Sequence, residues 1–319
     1  MVPSRCKVLI IKVGYSETLS PEISDITSYG DVLRTTVLLN LYKNDHVTWL
    51  VDEKSYPILK KNPYIDRILI YNLTSVLQLQ AEQFDTVINL EKVPGLCALA
   101  DSIKAWRRYG FRFDDKSGEA EAYDGTHVVL DICRNIEKKK HRKAYWQEGL
   151  FEMVGVEWKD EEYVFGYKPK SKEKYDIGFN YQVGNKWPLK AWPLRYWQEL
   201  EFLVKNKNTI SWQQGLENME EYFEWINSCR LIITNDSLGM HVAIALKKKL
   251  IVLFGPTNHR ENYLYDLGAY FYPEKFSCDE FPCNVNKCIH FEDNCLSLIK
   301  PELVAKEIER MAAKRSILK

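Results

Sequence analysis

The stretch Leu231-Ile-Ile-Thr-Asn-Asp-Ser-Leu-Gly-Met-His241 decides the reading of this chain. Its apolar and β-branched start reads as a strand, which ends at Asp236, and the small residues Ser237 and Gly239 open what reads as a helix. A strand that turns at once into a helix is the junction of a βα unit, and in open α/β sheets ligands gather at the carboxyl ends of the strands. Here a phosphate could approach backbone N–H groups at a helix N-terminus, where the helix dipole supplies partial positive charge without a metal. The alternative is that Asp236 only caps the helix.

The same alternation runs outward in both directions. Val8 to Val13, Val47 to Val51, Ile68 to Tyr71 and Thr86 to Leu90 read as strands, with helical patterns over Asp31 to Tyr42 and Ser75 to Gln83. After a helical stretch around Tyr145 to Val154, the lysine-rich segment from Glu157 to Tyr175 reads as a linker, placing a domain boundary near residue 170. The alternation restarts with strands at Ile177 to Tyr181, Thr209 to Trp212, Leu231 to Thr234 and Leu250 to Phe254, and helices from about Pro193 to Lys205 and near Met219 to Ile226. Pro301 then opens a closing helix to about Lys314. The expected architecture is α/β, with two Rossmann-like domains, 1–170 and 171–319, facing across a cleft.

Composition narrows the function. The 319 residues are 45% hydrophobic and 28% charged, a folded-protein composition, and 44 basic side chains balance 44 acidic ones, leaving no global field to hold a polyanion. Nucleic acid is therefore not an expected partner. No run approaches the roughly 18 apolar residues of a spanning helix, so any membrane contact is expected to be peripheral. The start, Met1 to Lys7, runs directly into a strand pattern with no signal-peptide core, and the expected compartment is the cytoplasm, at most against the inner membrane face.

Three further junctions carry polar residues. Gly178-Phe-Asn-Tyr-Gln-Val-Gly-Asn-Lys-Trp-Pro-Leu-Lys-Ala-Trp-Pro193 sets Lys186 and Lys190 in a loop after a strand, where they could neutralise a diphosphate or simply be solvated. Trp212-Gln-Gln-Gly-Leu-Glu-Asn218 places Glu217 where it could accept hydrogen bonds from ribose hydroxyls, although a glutamate before a helix is also ordinary. Thr27-Ser-Tyr-Gly-Asp-Val-Leu-Arg-Thr-Thr36 sets Asp31 at a helix start, as a base for an acceptor hydroxyl or as a plain N-terminal residue. Between Gly14 and Tyr29 a polar insert with Glu17, Glu22 and Asp25 reads as a lid or a disordered detour.

Taken together, Gly30-Asp-Val-Leu-Arg-Thr-Thr36, Lys186-Trp-Pro-Leu-Lys-Ala-Trp-Pro193, Thr234-Asn-Asp-Ser-Leu-Gly-Met-His241 and Phe254-Gly-Pro-Thr257 occur in an order that resembles the family 9 glycosyltransferases, the heptosyltransferase-like enzymes of GT-B architecture. The resemblance implies inverting transfer of a sugar, typically from ADP-heptose, to a saccharide or glycolipid acceptor, with no obligatory divalent cation. By motif, it implies Asp31 as the base, Lys190 at the donor phosphate with Lys186 in the same loop, and Asp236 at the donor sugar. Ser237, Leu238 and Gly239 match the phosphate-binding turn, His241 falls in the same block, and Glu217 matches a ribose-binding glutamate in a loop that differs from the family's. The interposed Tyr15 to Ser28 departs from the family's short loop and enters the acceptor region. Arg34, Lys104, Arg107 and Arg108, with the patch Lys138 to Lys143, are candidate holders of an anionic acceptor, or plain surface charge.

Cys278, Cys283, Cys288 and Cys295, separated by four, four and six residues with His290 nearby, could close a tetrahedral structural zinc or iron site, form two disulfides, or remain unliganded thiols. Two other functions compete: a catalytically silent nucleotide-binding or assembly protein, and a nucleotide-sugar epimerase on the same architecture.

Overall fold

The apolar runs form two separate sheets in the computed structural model of the chain, which describes residues 5–15, 18–273, 281–285, 287–288 and 294–316. The chain divides into one unit running up to Lys168 together with Arg260–Tyr263, and a second of Pro169–His259 and Leu264 onward.

The first unit is built on β1 (Lys7–Ile11), β2 (His46–Val51), β3 (Arg67–Ile70), β4 (Gln83–Asn89), β5 (Lys104–Phe113) and β6 (Ala120–Ala122), in the order β3-β2-β1-β4-β5-β6. The first five are parallel and β6 joins antiparallel. Val8 to Ile11 are all buried, as a central parallel strand covered on both faces requires. The helices are α1 (Tyr29–Thr35), α2 (Tyr56–Leu59), α3 (Leu73–Ala81), α4 (Pro94–Ser102), α5 (His127–Arg134), α6 (Ile136–His141) and α7 (Trp146–Met153). The helix expected across Asp31 to Tyr42 is α-helical only to Thr35 and tightens to a 3-10 helix over Thr36–Leu41. The hydroxyls of Thr35 and Thr36 donate back to the carbonyls of Asp31 and Leu33, both at 2.6 Å, and such local bonds compete with the regular ladder. Within the polar insert, Ile23 is buried in a 3-10 turn and the Thr18 hydroxyl donates to the Cys133 carbonyl of α5 at 2.7 Å, so its described part is docked. Glu17 lies outside the described residues.

The second unit has β7 (Tyr175–Asn180), β8 (Ile210–Trp212), β9 (Cys229–Asn235), β10 (Lys249–Leu253) and β11 (Gly268–Phe271), all parallel, in the order β11-β10-β9-β7-β8. Its helices are α8 (Leu194–Val204), α9 (Met219–Ser228), α10 (Leu238–Ala245) and α11 (Pro301–Ser316). Val304 and Ile308 of α11 are buried in one cluster with Trp197, Leu200 and Val204 of α8, so the last helix closes this core. No helix among the described residues is long and apolar enough to cross a membrane.

Each strand order reverses at one place, between β1 and β4 in the first sheet and between β7 and β9 in the second. At such a point the connections leave in opposite directions and open a crevice at the carboxyl ends, the usual ligand position of this fold class.

Candidate functional site

In the second unit the crevice is built from the ends of β7 and β9. Asn180 ends β7, opposite Thr234 of β9. Its side-chain amide donates to Thr234 Oγ1 at 2.8 Å and Ser237 Oγ at 3.0 Å, while its Oδ1 accepts from the Tyr222 hydroxyl at 2.6 Å. Burial pushes the Tyr222 phenol upward, which keeps it a donor. Gly239, in the first turn of α10, faces this triangle: a Cβ there would lie 2.3 Å from Asn180 Nδ2 and 2.6 Å from the Tyr222 hydroxyl. Only glycine lets the helix start so close to the sheet. Asn235 accepts from the Trp192 backbone N–H and donates to the Tyr181 carbonyl, both at 3.0 Å, tying down the loop that follows β7.

Asp236 does not cap α10. The N-cap is Ser237, in extended conformation, and the Asp236 carboxylate instead pairs with Lys190 Nζ at 2.7 Å and accepts from the Thr257 hydroxyl at 2.6 Å. Burial drives this carboxyl upward, but the Lys190 ammonium and the Thr257 hydroxyl outweigh it, with His241 adding to them, and hold the group below the usual aspartate range. Lys190 ends a 3-10 turn, Pro188–Lys190, with its ammonium 5.8 Å from the Trp187 ring centroid. Lys186 and His241 are buried; Glu217 is exposed in the loop before α9, and no hydrogen bond or ion pair ties it to Asp236 or Lys190. A cavity of about 500 Å³, lined by Tyr181, Gly184, Pro188, Leu189, Trp192 and Asn294, adjoins the lysine loop and is of a size that takes a small ligand. The arrangement sets a cation and the N-terminus of a buried helix beside an ionised carboxylate, which suits an anionic group attached to a polyol.

In the first unit Asp31 sits in the first turn of α1 and pairs with Arg34 Nη2 at 2.6 Å, its side chain 31% exposed. The Arg34 guanidinium lies 4.4 Å from the Trp146 ring centroid on α7, so the residue that orients Asp31 is itself held by an aromatic face. The other basic candidates do not join Asp31. Lys104 begins β5 opposite Gln83, at the amino end of the sheet, and Arg107 is exposed further along the same strand. Arg108 donates to the carbonyls of Ala100 and Ala105, both at 3.3 Å, and to that of Ile103, and so closes the end of α4. In the Lys138 to Lys143 patch, Lys140 is buried and paired with Glu137 at 3.1 Å.

Sequence reasoning missed Asn180, Tyr222, Thr257 as a partner of Asp236, and the pair of Lys12 with Glu91, 3.2 Å apart and both buried at the crevice of the first sheet. Lys12 carried a signal, being a charge inside the apolar run Val8 to Val13.

Of the four clustered cysteines, Cys278 lies outside the described residues, as does His290. Cys283 and Cys288 are half-buried and Cys295 is buried; no group of three or more potential metal ligands occurs among the described residues. The isolated Cys97 and Cys229 are buried thiols, pushed up to about 12 chiefly by burial, which makes them inert as nucleophiles.

Comparison with known proteins bears on these crevices. The model of glycosyltransferase family 9 (heptosyltransferase) matches residues 215–269, a span that holds Glu217, Asp236 to His241 and Thr257. Lipopolysaccharide heptosyltransferase 1 of Campylobacter coli is 23% identical over an alignment covering 90% of this chain and 97% of the relative. The solved ADP-heptose lipopolysaccharide heptosyltransferase II of E. coli superposes with a TM-score of 0.66 at 15% identity, covering 97% of this chain and 99% of that one. The dodecameric iron-containing glycosyltransferase TibC of enterotoxigenic E. coli gives 0.60 at 10% identity, with 98% and 77% covered. The structural likenesses bear out the GT-B fold class.

Proposed function

We propose that this chain, a glycosyltransferase of family 9 type on the GT-B architecture, moves heptose from ADP-heptose to a saccharide or glycolipid acceptor with inversion at the anomeric carbon. The observation that carries the reading is the buried Asp236 carboxylate, held ionised by Lys190 and Thr257 at the N-terminus of α10.

The chemistry follows from charge. An ammonium has three N–H donors, so Lys190 can hold Asp236 and a diphosphate oxygen together, while the N–H groups that open α10 at Leu238 and Gly239 face the remaining negative charge. Lys186, in the same loop, is the second candidate cation for the diphosphate. Asp236 accepts from hydroxyls of the donor sugar, and Glu217 from the ribose. In the other unit, Asp31 takes the proton of the acceptor hydroxyl; the oxygen then forms a bond to the anomeric carbon as the carbon–oxygen bond to the diphosphate breaks and ADP leaves. Charge built up on the leaving group is met by positive groups already in place, the kind of preorganisation that usually gives the largest catalytic term. Arg34, aimed by Trp146, orients Asp31 and is the candidate contact for an anionic acceptor.

Calorimetric titration against ADP, GDP, UDP and CDP, with Lys190→Ala beside the parent, tests the donor half. Selective binding of ADP, lost in the variant, supports it; equal binding by both proteins removes Lys190 from the phosphate site.

A further inference from the structure

The crevice of the first sheet holds a charged pair that the reaction above does not use. Lys12 follows β1 and Glu91 follows β4, on either side of the point where the strand order reverses, and both side chains are buried, Glu91 completely. Their backbones are locked from behind. The Lys12 carbonyl accepts from the Trp49 indole N–H at 3.0 Å, and Asn89 bonds both the N–H and the carbonyl of Glu91 at 3.1 Å. A single carboxylate oxygen of Glu91 takes both Lys12 Nζ, at 3.2 Å, and the Gly14 N–H, at 2.7 Å; its Oε2 is buried with no hydrogen-bond partner. A buried ion pair adds little net stability over an apolar pair of the same volume, and an unsatisfied buried oxygen is a cost, so stability does not explain the arrangement.

What it does explain is the start of α1. The carbonyl of the same Gly14 accepts from the N–H of Ser28 at 2.8 Å, and Ser28 is the N-cap of the helix that carries Asp31 in its first turn. Gly14 has φ +109°, and a Cβ there would come within 3.0 Å of Thr27 and 3.2 Å of Val32, so the two ends of the polar insert are joined at a residue only glycine suits. Glu91, Gly14 and Ser28 thus form one chain of hydrogen bonds from the end of β4 to the first turn of α1. We infer that Glu91 is a positioning residue: through Gly14 it fixes the α1 N-terminus, and with it Asp31, at the crevice despite the long insert, while Lys12 holds the Glu91 carboxylate in place. The inference rests on the reading of Asp31 as the base.

The test compares near-isosteric neutral pairs. Lys12→Met with Glu91→Gln keeps an acceptor for the Gly14 N–H, whereas Lys12→Met with Glu91→Met removes it, and both lack the buried charges. Turnover is followed as ADP released from ADP-heptose in the presence of heptose-free lipopolysaccharide core, beside ADP affinity by calorimetry and thermal melting. The glutamine variant should keep kcat within a few-fold of the parent. The methionine variant should lose on the order of 10²-fold in kcat, the loss expected when a reacting group moves by about 1 Å, with KM for ADP-heptose and ADP affinity unchanged. Equal kcat in the two variants overturns the inference. Asp31→Asn is assayed alongside: an inactive Asp31→Asn with equal Gln and Met variants sinks the positioning role alone, and an active Asp31→Asn sinks the base reading and this inference with it. Should either pair fail to fold, hydrogen exchange on the parent decides: Gly14 and Ser28 amides protected as well as those of β1 support the clamp, and exchange as fast as in the exposed residues of the insert overturns it.

Discussion

The two crevices both open where a strand order reverses, but in sheets of different order, and they are built differently. In the second unit, polar side chains from adjacent strands meet one another, Asn180 with Thr234, Ser237 and Tyr222, so the turn that carries Asp236 is rigid and its charge is already balanced by Lys190. In the first unit the corresponding place is crossed by a buried ion pair with one oxygen unsatisfied, and Asp31, the proposed base, is carried on α1, partly exposed and paired with Arg34. On the proposed function, the donor side is thus a finished side-chain network, whereas the proposed base is held through backbone hydrogen bonds with a long insert beside it.

Substitutions can break that contrast, starting with the largest effect. Asp31→Asn should lower kcat by about 10²–10⁴-fold, the usual worth of a general base, with ADP affinity unchanged by calorimetry; normal turnover would assign the base elsewhere. Lys190→Ala leaves Asp236 buried without its cation, which should cost about 3 kcal/mol in urea unfolding and abolish tight ADP binding. Gly239→Ala forces a methyl against Asn180 and Tyr222 and should cost about 1–3 kcal/mol with weaker ADP binding, while the pair Lys12 and Glu91 is untouched.

Smaller effects sharpen the same picture. The Asp236 carboxyl is depressed in the folded protein, so its contribution to stability is complete above the unfolded value of about 3.9 and is lost as pH falls through the lower folded one. The melting temperature of the parent should therefore fall more steeply below about pH 4 than that of Asp236→Asn; parallel curves would deny the depression. Arg107→Ala, on an exposed strand position, should leave the acceptor KM nearly unchanged, and a large rise would return β5 to the acceptor site.

What was legible in the sequence follows physical lines. Strands such as Val8 to Val13 and Leu231 to Thr234 announce themselves because both faces of a central parallel strand are buried, and the motif residues after them stand at the carboxyl ends because a βα turn puts them there. β5 was missed because Lys104, Arg107 and Arg108 interrupt its apolar pattern at the edge side of the sheet, where β6 adds only three residues. Asn180 and Tyr222 were invisible because their roles depend on contacts 42 residues apart in the chain. Glu91 and Lys12 are 79 residues apart, and only the pairing of β1 with β4 brings them together.

The most direct test of the account is proton NMR of the glycoside formed from ADP-heptose and heptose-free lipopolysaccharide core by the parent and by Asp31→Asn. A heptoside of inverted anomeric configuration is expected from the parent and almost none from the variant. A retained configuration, or an epimerised nucleotide sugar formed without acceptor, would contradict it.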